Sequence, residues 1–398
     1  METLELSILI GAALVVLSVV VSPLANRFGA PILLVFLAFG MLVGQDGPGG
    51  VEFNDFNIAY EIGSIALAVI LFSGGLGTSV AAIKKCWGPA VVLATFGVLL
   101  TAGVVGSIVW FLGEPLLTAL LLGSVIGSTD AAATFLLLRN RGVQLHGRVM
   151  ETIVVESGLN DPMAIFLTIV FVGLVDNGAD RVSWDVLHTF VMQLGIGGVA
   201  GIIGGFGLAW LLDRLPLEAG LYAVLALAGA LSLFVGVQLL GGSGYLTVYL
   251  AGIVLMHSLR DVKRTELEHT HNSLAWLSQI IMFLMLGLLV TPTELEAVAA
   301  GAGVVAFLLM FVARPIAVTI CLAPFRFNWR ERLFIAWVGL RGAVPIFLAI
   351  IPVISSGPIE VPFFNIVFIV VVASLACQGW TIPWLARRLK LVDCSRTD

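Results

Sequence analysis

Glu156-Ser157-Gly158-Leu159-Asn160-Asp161-Pro162 sets two carboxylates, a hydroxyl and an amide inside an apolar run that reaches from about residue 149 to 175. On insertion scales an ionised side chain at the centre of a membrane helix costs roughly 2.5 to 3.5 kcal/mol, so two in one span require a compensating reason. Helical spacing puts Glu156 over Asn160 and Ser157 over Asp161 on one face. Such a polar stripe must face protein or a water-filled cavity, not lipid.

The rest of the chain supports the membrane reading. Of 398 residues, 59% are hydrophobic and 11% charged, and the mean hydropathy is +1.08. No water-soluble globular domain of this size has that balance, so the expected fold class is an all-α polytopic membrane protein. The net charge of -5 says little about partners, because in a bilayer the position of a charge matters more. The expected partner is the lipid bilayer, not nucleic acid. Cys86, Cys321, Cys377 and Cys394 stand singly, which argues against a disulfide framework or a zinc site. Met1-Glu2-Thr3-Leu4-Glu5 lacks the basic start of a cleavable signal peptide, so the first apolar run is expected to stay as a span.

Cut at its polar and Gly/Pro-rich breaks, at about 20 residues per crossing, the chain yields about thirteen segments. They lie near residues 4–22, 31–44, 59–77, 87–112, 115–138, 149–175, 186–212, 218–236, 238–258, 274–290, 294–322, 332–354 and 362–386. With the N-terminus outside, each of the 20 lysines and arginines except Arg181, Arg314 and Arg341 falls on one side, which the positive-inside rule assigns to the cytoplasm. The opposite loops carry acids such as Asp46, Glu52, Asp176 and Glu294. The expected placement is the cell inner membrane, with the C-terminus cytoplasmic. Arg314, inside the eleventh segment, is expected to reach the cytoplasmic side of its span or to snorkel.

Two segments are interrupted near their middles. Val338-Gly339-Leu340-Arg341-Gly342-Ala343-Val344-Pro345 predicts a locally unwound helix in the twelfth, and Gly127-Ser128-Thr129-Asp130-Ala131 gives the fifth a matching break. The two are an odd number of spans apart and therefore run in opposite directions. That is the pattern of an inverted repeat whose paired broken helices meet at a midplane site, with spans 1 to 6 and 8 to 13 as repeats and span 7 as connector.

Asp130 and Arg341 are expected to join the polar stripe, since an intramembrane charge seeks a partner. One of the three acids must pair with Arg341, and Glu156 is the expected one. Asp161 has no evident second base. A carboxylate withdrawn from water favours its protonated form, whereas a bound cation favours the ionised form. Competition between H+ and a metal cation for one such group is the minimal machinery of exchange. Asp161, Asp130, Ser157 and the freed carbonyl of Thr129 could supply the oxygens that a hard monovalent cation requires.

Taken together, Thr129-Asp130, Glu156-Ser157 with Asn160-Asp161-Pro162, Gly339 to Pro345 around Arg341, and a last span with Ser374 and Gln378-Gly379 resemble the monovalent cation/proton antiporters. The branch is that of the electroneutral NhaP and sodium/proton exchangers, which includes bacterial potassium/proton antiporters, and the likeness covers essentially the whole chain. It implies an NhaA-like antiporter fold and a homodimer, with no organic cofactor and no enzymatic activity. Asp161 would alternately carry proton and cation, assisted by Asp130, Ser157 and the Thr129 backbone. Asn160 would be a structural amide bracing the crossed helices, and Glu156 with Arg341 an ion pair of the core. Electrogenic relatives have a second Asp where Asn160 stands, so the resemblance implies one-for-one exchange of Na+ or K+ for H+.

The resemblance also implies a core domain of residues 87–180 and 294–391 moving like an elevator against dimerisation-domain helices in 1–86 and 181–293, the latter including span 7. Residues 392–398 would be a cytoplasmic tail. Some NhaP-like relatives carry a Glu near Phe72-Ser73-Gly74-Gly75-Leu76, where this chain has Ser73; fewer charges favour a less strongly hydrated ion such as K+. Potassium/proton members often continue into a cytosolic nucleotide-sensing domain, so either this protein lacks one or the sequence is the membrane part of a longer chain. The rival on the same fold is an organic-anion transporter, which would be expected to offer more positive charge than Arg341. A channel would need a filter or a ladder of gating charges.

Three further features carry less. Gly197, Gly201 and Gly205 read as a close helix contact, either within the bundle or at a dimer seam. His257, His269 and His271 are expected around a cytoplasmic loop. Gly241-Gly242-Ser243-Gly244 follows no strand, which removes the support for a nucleotide site.

Overall fold

Inside a bilayer each backbone group must find its partner within the chain, and the computed structural model meets this requirement with helices. The structure describes residues 2–28, 31–145, 147–176, 178, 184–259 and 261–392. Arg181, Arg260, Cys394, Arg396 and all of the expected tail except Val392 lie outside the described residues. In chain order the first helices are α1 Glu2–Phe28, α2 Ile32–Val43, α3 Phe56–Leu76, α4 Val80–Val92, α5 Val98–Phe111, α6 Leu116–Val125, α7 Ala131–Asn140, α8 Gly147–Asp176 and α9 Trp184–Arg214. They are followed by α10 Ala219–Leu239, α11 Gly244–Ser258, α12 Asp261–Leu288, α13 Pro292–Leu308, α14 Arg314–Cys321, α15 Trp329–Trp337, α16 Ala343–Leu348, α17 Ile350–Ile354 and α18 Val361–Arg388.

Among the described residues, eight helices are long and apolar enough to cross a membrane. Two of these, Ile83–Phe111 and Pro292–Cys321, are continuous through a π-helical turn, at Leu93–Gly97 and Leu309–Ala313 respectively. A π turn holds an extra residue, so every side chain after it departs from the 3.6-residue phase. Shorter apolar helices occur at Ile8–Pro23, Ile32–Val43, Leu116–Val125, Gly244–Ser258 and Ala343–Ile354.

The glycine row of α9 faces a neighbour in the same chain. A Cβ at Gly197, Gly201 or Gly205 would run into Ser243, Thr247 or Val254, all on or capping α11, and the Thr247 hydroxyl lies within hydrogen-bond distance of both Ser243 O (2.8 Å) and Gly197 O (3.0 Å). The expected loop around His269 and His271 is instead the start of α12, which begins at Asp261. The reason is a compact turn: Arg264 donates to Leu259 O (2.7 Å) and His257 O (3.0 Å), satisfying carbonyls at the end of α11 that a longer loop would otherwise leave to water. His271 is buried, its Nδ1 3.0 Å from Leu267 O and its ring edge-on to Phe72.

The two ends of the bundle differ in charge. At one end Arg148 donates to Phe325 O and lies 3.9 Å from the Phe327 ring centre, while Arg387 donates to Arg141 O at 2.8 Å. At the other, Thr293 donates through its N–H (3.0 Å) and hydroxyl (2.7 Å) to Asp46 Oδ2. These bonds hold the Asp46 carboxyl below its ordinary range. A carboxylate lowered by folding stabilises the fold above its unfolded pKa, and that contribution is lost as pH falls through the folded one. Thermal unfolding of wild type and Asp46→Asn should therefore differ at neutral pH, and the gap should close in acid.

Candidate ion site

Both interruptions expected from the sequence are present. Helix α6 ends at Val125 and α7 starts after Asp130, whose carboxylate caps it by accepting from Ala133 N at 2.9 Å. Helix α15 ends at Trp337 and α16 begins at Ala343, leaving 338–342 unwound. Backbone groups freed by each break are taken up by the other break, by α18 or by α8. Asp130 N–H donates to Leu340 O at 2.8 Å, joining the two breaks through main chain. Gln378 Nε2 donates to Trp337 O (2.8 Å), and the Arg341 N–H donates to Ser374 Oγ (3.1 Å). Gly342 is a glycine because a Cβ there would occupy the space of the Asp130 carboxylate.

Arg341 is buried, but its partner is not Glu156, which corrects the expected pair. Its Nη1 donates to Gly127 O (2.7 Å) and to Ser128 O, at the negative end of the α6 dipole. Glu156 Oε1 instead lies 2.6 Å from Nη2 of Arg314, which is 3% exposed and does not snorkel. The π turn at 309–313 immediately precedes Arg314 and shifts its phase, and Gly339 leaves the room that its side chain fills. Once Arg341 has the α6 carbonyls, Arg314 is the cation left to balance Glu156.

Helix α8 presents its remaining polar groups to the first break. Asn160 Nδ2 donates to Thr129 Oγ1 (2.6 Å), and Ser157 Oγ donates to Thr129 O (2.8 Å) while accepting from Ala131 N (3.1 Å). Asp161, 7% exposed, accepts a hydrogen bond from Ser128 Oγ. Thr129, Asp130, Ser157, Asn160 and Asp161 are thus brought together. Ser128 was not singled out by sequence reasoning; its signal was its place in the 127–131 break. Among the described residues, neither Asp161 nor Asp130 is in an ion pair.

These groups border a cavity of about 410 Å3. Ser128, Thr129, Asp130, Ser157, Gly158 and Asp161 form one wall; Ser73, Thr78, Tyr249, Asn272 and Gln279 form another, and the space extends to Arg139 and Trp276. Ser73 Oγ donates to Asn272 Oδ1 at 3.3 Å. A buried carboxylate beside hydroxyl oxygens and a second carboxylate, with no ion-pair partner among the described residues, is suited to a hard cation or a proton.

The transmembrane sodium/hydrogen exchanger family model matches residues 13–388. The chain is 44% identical over 392 residues to the K(+)/H(+) antiporter NhaP of Alkalimonas amylolytica, covering 98% of this chain and 68% of that protein. It is 43% identical over 386 residues to the K(+)/H(+) antiporter NhaP2 of Shewanella baltica (strain OS223), covering 96% of this chain and 66% of the relative. This chain thus spans about two thirds of these relatives' length. The solved structure of the sodium proton antiporter MjNhaP1 from Methanocaldococcus jannaschii at pH 8 superposes with a TM-score of 0.85 at 25% identity, covering 98% of this chain and 99% of that one. The chain therefore belongs to the transmembrane sodium/hydrogen exchanger family, whose members are ion antiporters and not enzymes.

Proposed function

We propose that the chain exchanges one monovalent cation, K+ or Na+, for one proton, with Asp161 as the carboxylate the two share. The observation that carries this is Asp161 itself, at the cavity with a neutral hydroxyl for support and, among the described residues, no basic partner. A buried carboxylate in that position is neutralised by a proton or by a cation, and either occupant weakens the other's hold. Ser157, the Thr129 carbonyl and Asp130 would add oxygens around the cation. Asn160 braces α8 against the break and does not titrate, so one charge enters for each that leaves. K+ is the favoured cargo, on the names of the relatives and on the neutral Ser73 and Asn272 in the facing wall.

The same reading divides the molecule. In a chain of thirteen crossings with inverted repeats, residues 87–180 and 294–391 would form a core that rises and falls against 1–86 and 181–293 in a homodimer of the inner membrane. The two cavity walls support this division, because Asp161 and Ser128 come from the first group and Ser73, Thr78, Tyr249 and Asn272 from the second. Arg139 at the rim supports a cavity open to the basic, cytoplasmic end, with the N-terminus outside.

Purified protein in proteoliposomes, with proton movement followed by dequenching of an acid-trapped dye, should respond to added K+ or Na+ across neutral to alkaline pH. No response to K+, Na+ or Li+ would end this reading. One-for-one exchange moves no net charge, so the rate should not change under an imposed potential, although each unbalanced charge would feel about 2.3 kcal/mol per 100 mV. A rate that tracks voltage would reject the stoichiometry.

A further inference from the structure

Tyr249 lines the cavity, and the exchange reading gives it no part in holding the ion. It lies in α11, buried, on the wall facing Asp161. Its hydroxyl is 3.5 Å from Thr78 Oγ1, a long contact in which either oxygen could donate. A threonine hydroxyl has a single proton, and that of Thr78 goes to Gly74 O at 2.7 Å. With the Thr78 proton on Gly74 O, the phenol is the group left to donate toward Thr78, and among the described residues no other hydrogen bond reaches the phenol oxygen.

The opposite surface is shaped for that oxygen. Gly158 lies between Ser157 and, one turn on, Asp161, and a Cβ there would overlap the ring and hydroxyl of Tyr249. The phenol tip therefore occupies the notch that the missing side chain leaves, on the stretch of α8 that also carries Asp161. Behind it, the Tyr249 carbonyl abuts Gly75 of α3, so the tyrosine backbone is held against its own wall.

We propose that Tyr249 is a cation ligand, a neutral oxygen that Thr78 orients and that the wall opposite Asp161 supplies to the transported ion. This rests on the exchange reading above. Hard monovalent cations take neutral oxygens as well as carboxylates, and a second wall that binds the ion gives the cavity a way to select among cations as well as to attract them. Thr78 acts through Tyr249 and is a positioning residue.

The test is cation-dependent proton flux in proteoliposomes for K+, Na+ and Li+, with thermal unfolding of each purified variant to verify folding. Tyr249→Phe keeps the ring and removes the oxygen; it should raise the apparent KM for the transported cation about tenfold while lowering the maximal rate much less. Thr78→Val keeps the volume but not the acceptor and should raise KM in the same direction, whereas Thr78→Ser should restore it. A packing role predicts the reverse order, with the isosteric valine tolerated and the smaller serine harmful. Unchanged KM for every cation in Tyr249→Phe, or that reverse order at Thr78, overturns the proposal while wild-type exchange still stands. If Tyr249→Phe does not fold, the two Thr78 variants decide. Absence of flux in the wild type would instead remove the exchange reading on which the proposal rests.

Discussion

Asp161→Asn should reduce cation-dependent proton flux to background in proteoliposomes, with the protein still folded. The amide keeps the size of the carboxylate and its contact with Ser128, so little packing is lost. What disappears is the only state of the side chain that a cation can neutralise. The same change removes a buried charge that lacks a basic counterion, so thermal unfolding in detergent should occur at the wild-type temperature or above it. Sustained exchange by this variant would reject Asp161 as the shared carboxylate, and a strongly destabilised variant would show that the carboxylate holds the fold.

The largest effect on stability is expected at Glu156 and Arg314. Both are buried and 2.6 Å apart, so Glu156→Leu strands a guanidinium in the interior at a cost of about 3 to 5 kcal/mol. Replacing both, as Glu156→Leu with Arg314→Met, should recover most of that loss, because two apolar side chains of similar volume remove the desolvation cost along with the attraction. Chemical unfolding in detergent measures all three proteins. A single variant as stable as wild type, or a double variant no better than the single, would mean that the pair is not coupled in this way.

The breaks, the polar stripe of α8 and the helical class were legible in the sequence because each has its own letters. Gly127, Gly339, Gly342 and Pro345 interrupt a helix by their own backbone chemistry, and a charge at Asp130 or Arg341 stands out against an apolar run. The partner of Glu156 was not legible. Counting by 3.6 residues treats α13 and α14 as one continuous face, and the extra residue at 309–313 rotates Arg314 out of that count. Arg341 escaped for a different reason: it binds the carbonyls of Gly127 and Ser128, and a carbonyl is present whatever the residue. The early start of α12 was hidden because His269 and His271 read as loop, while the turn between α11 and α12 is closed by Arg264 on backbone atoms.

The bond from Asp130 N–H to Leu340 O has a consequence for how this chain can change over generations. No codon change other than one to proline removes that amide, and none removes that carbonyl. The crossing is thus largely indifferent to substitution, but it depends on how many residues separate α6 from α7 and α15 from α16. One residue gained or lost in either stretch would bring the wrong amide opposite the wrong carbonyl. Length, more than identity, is what inheritance must preserve there.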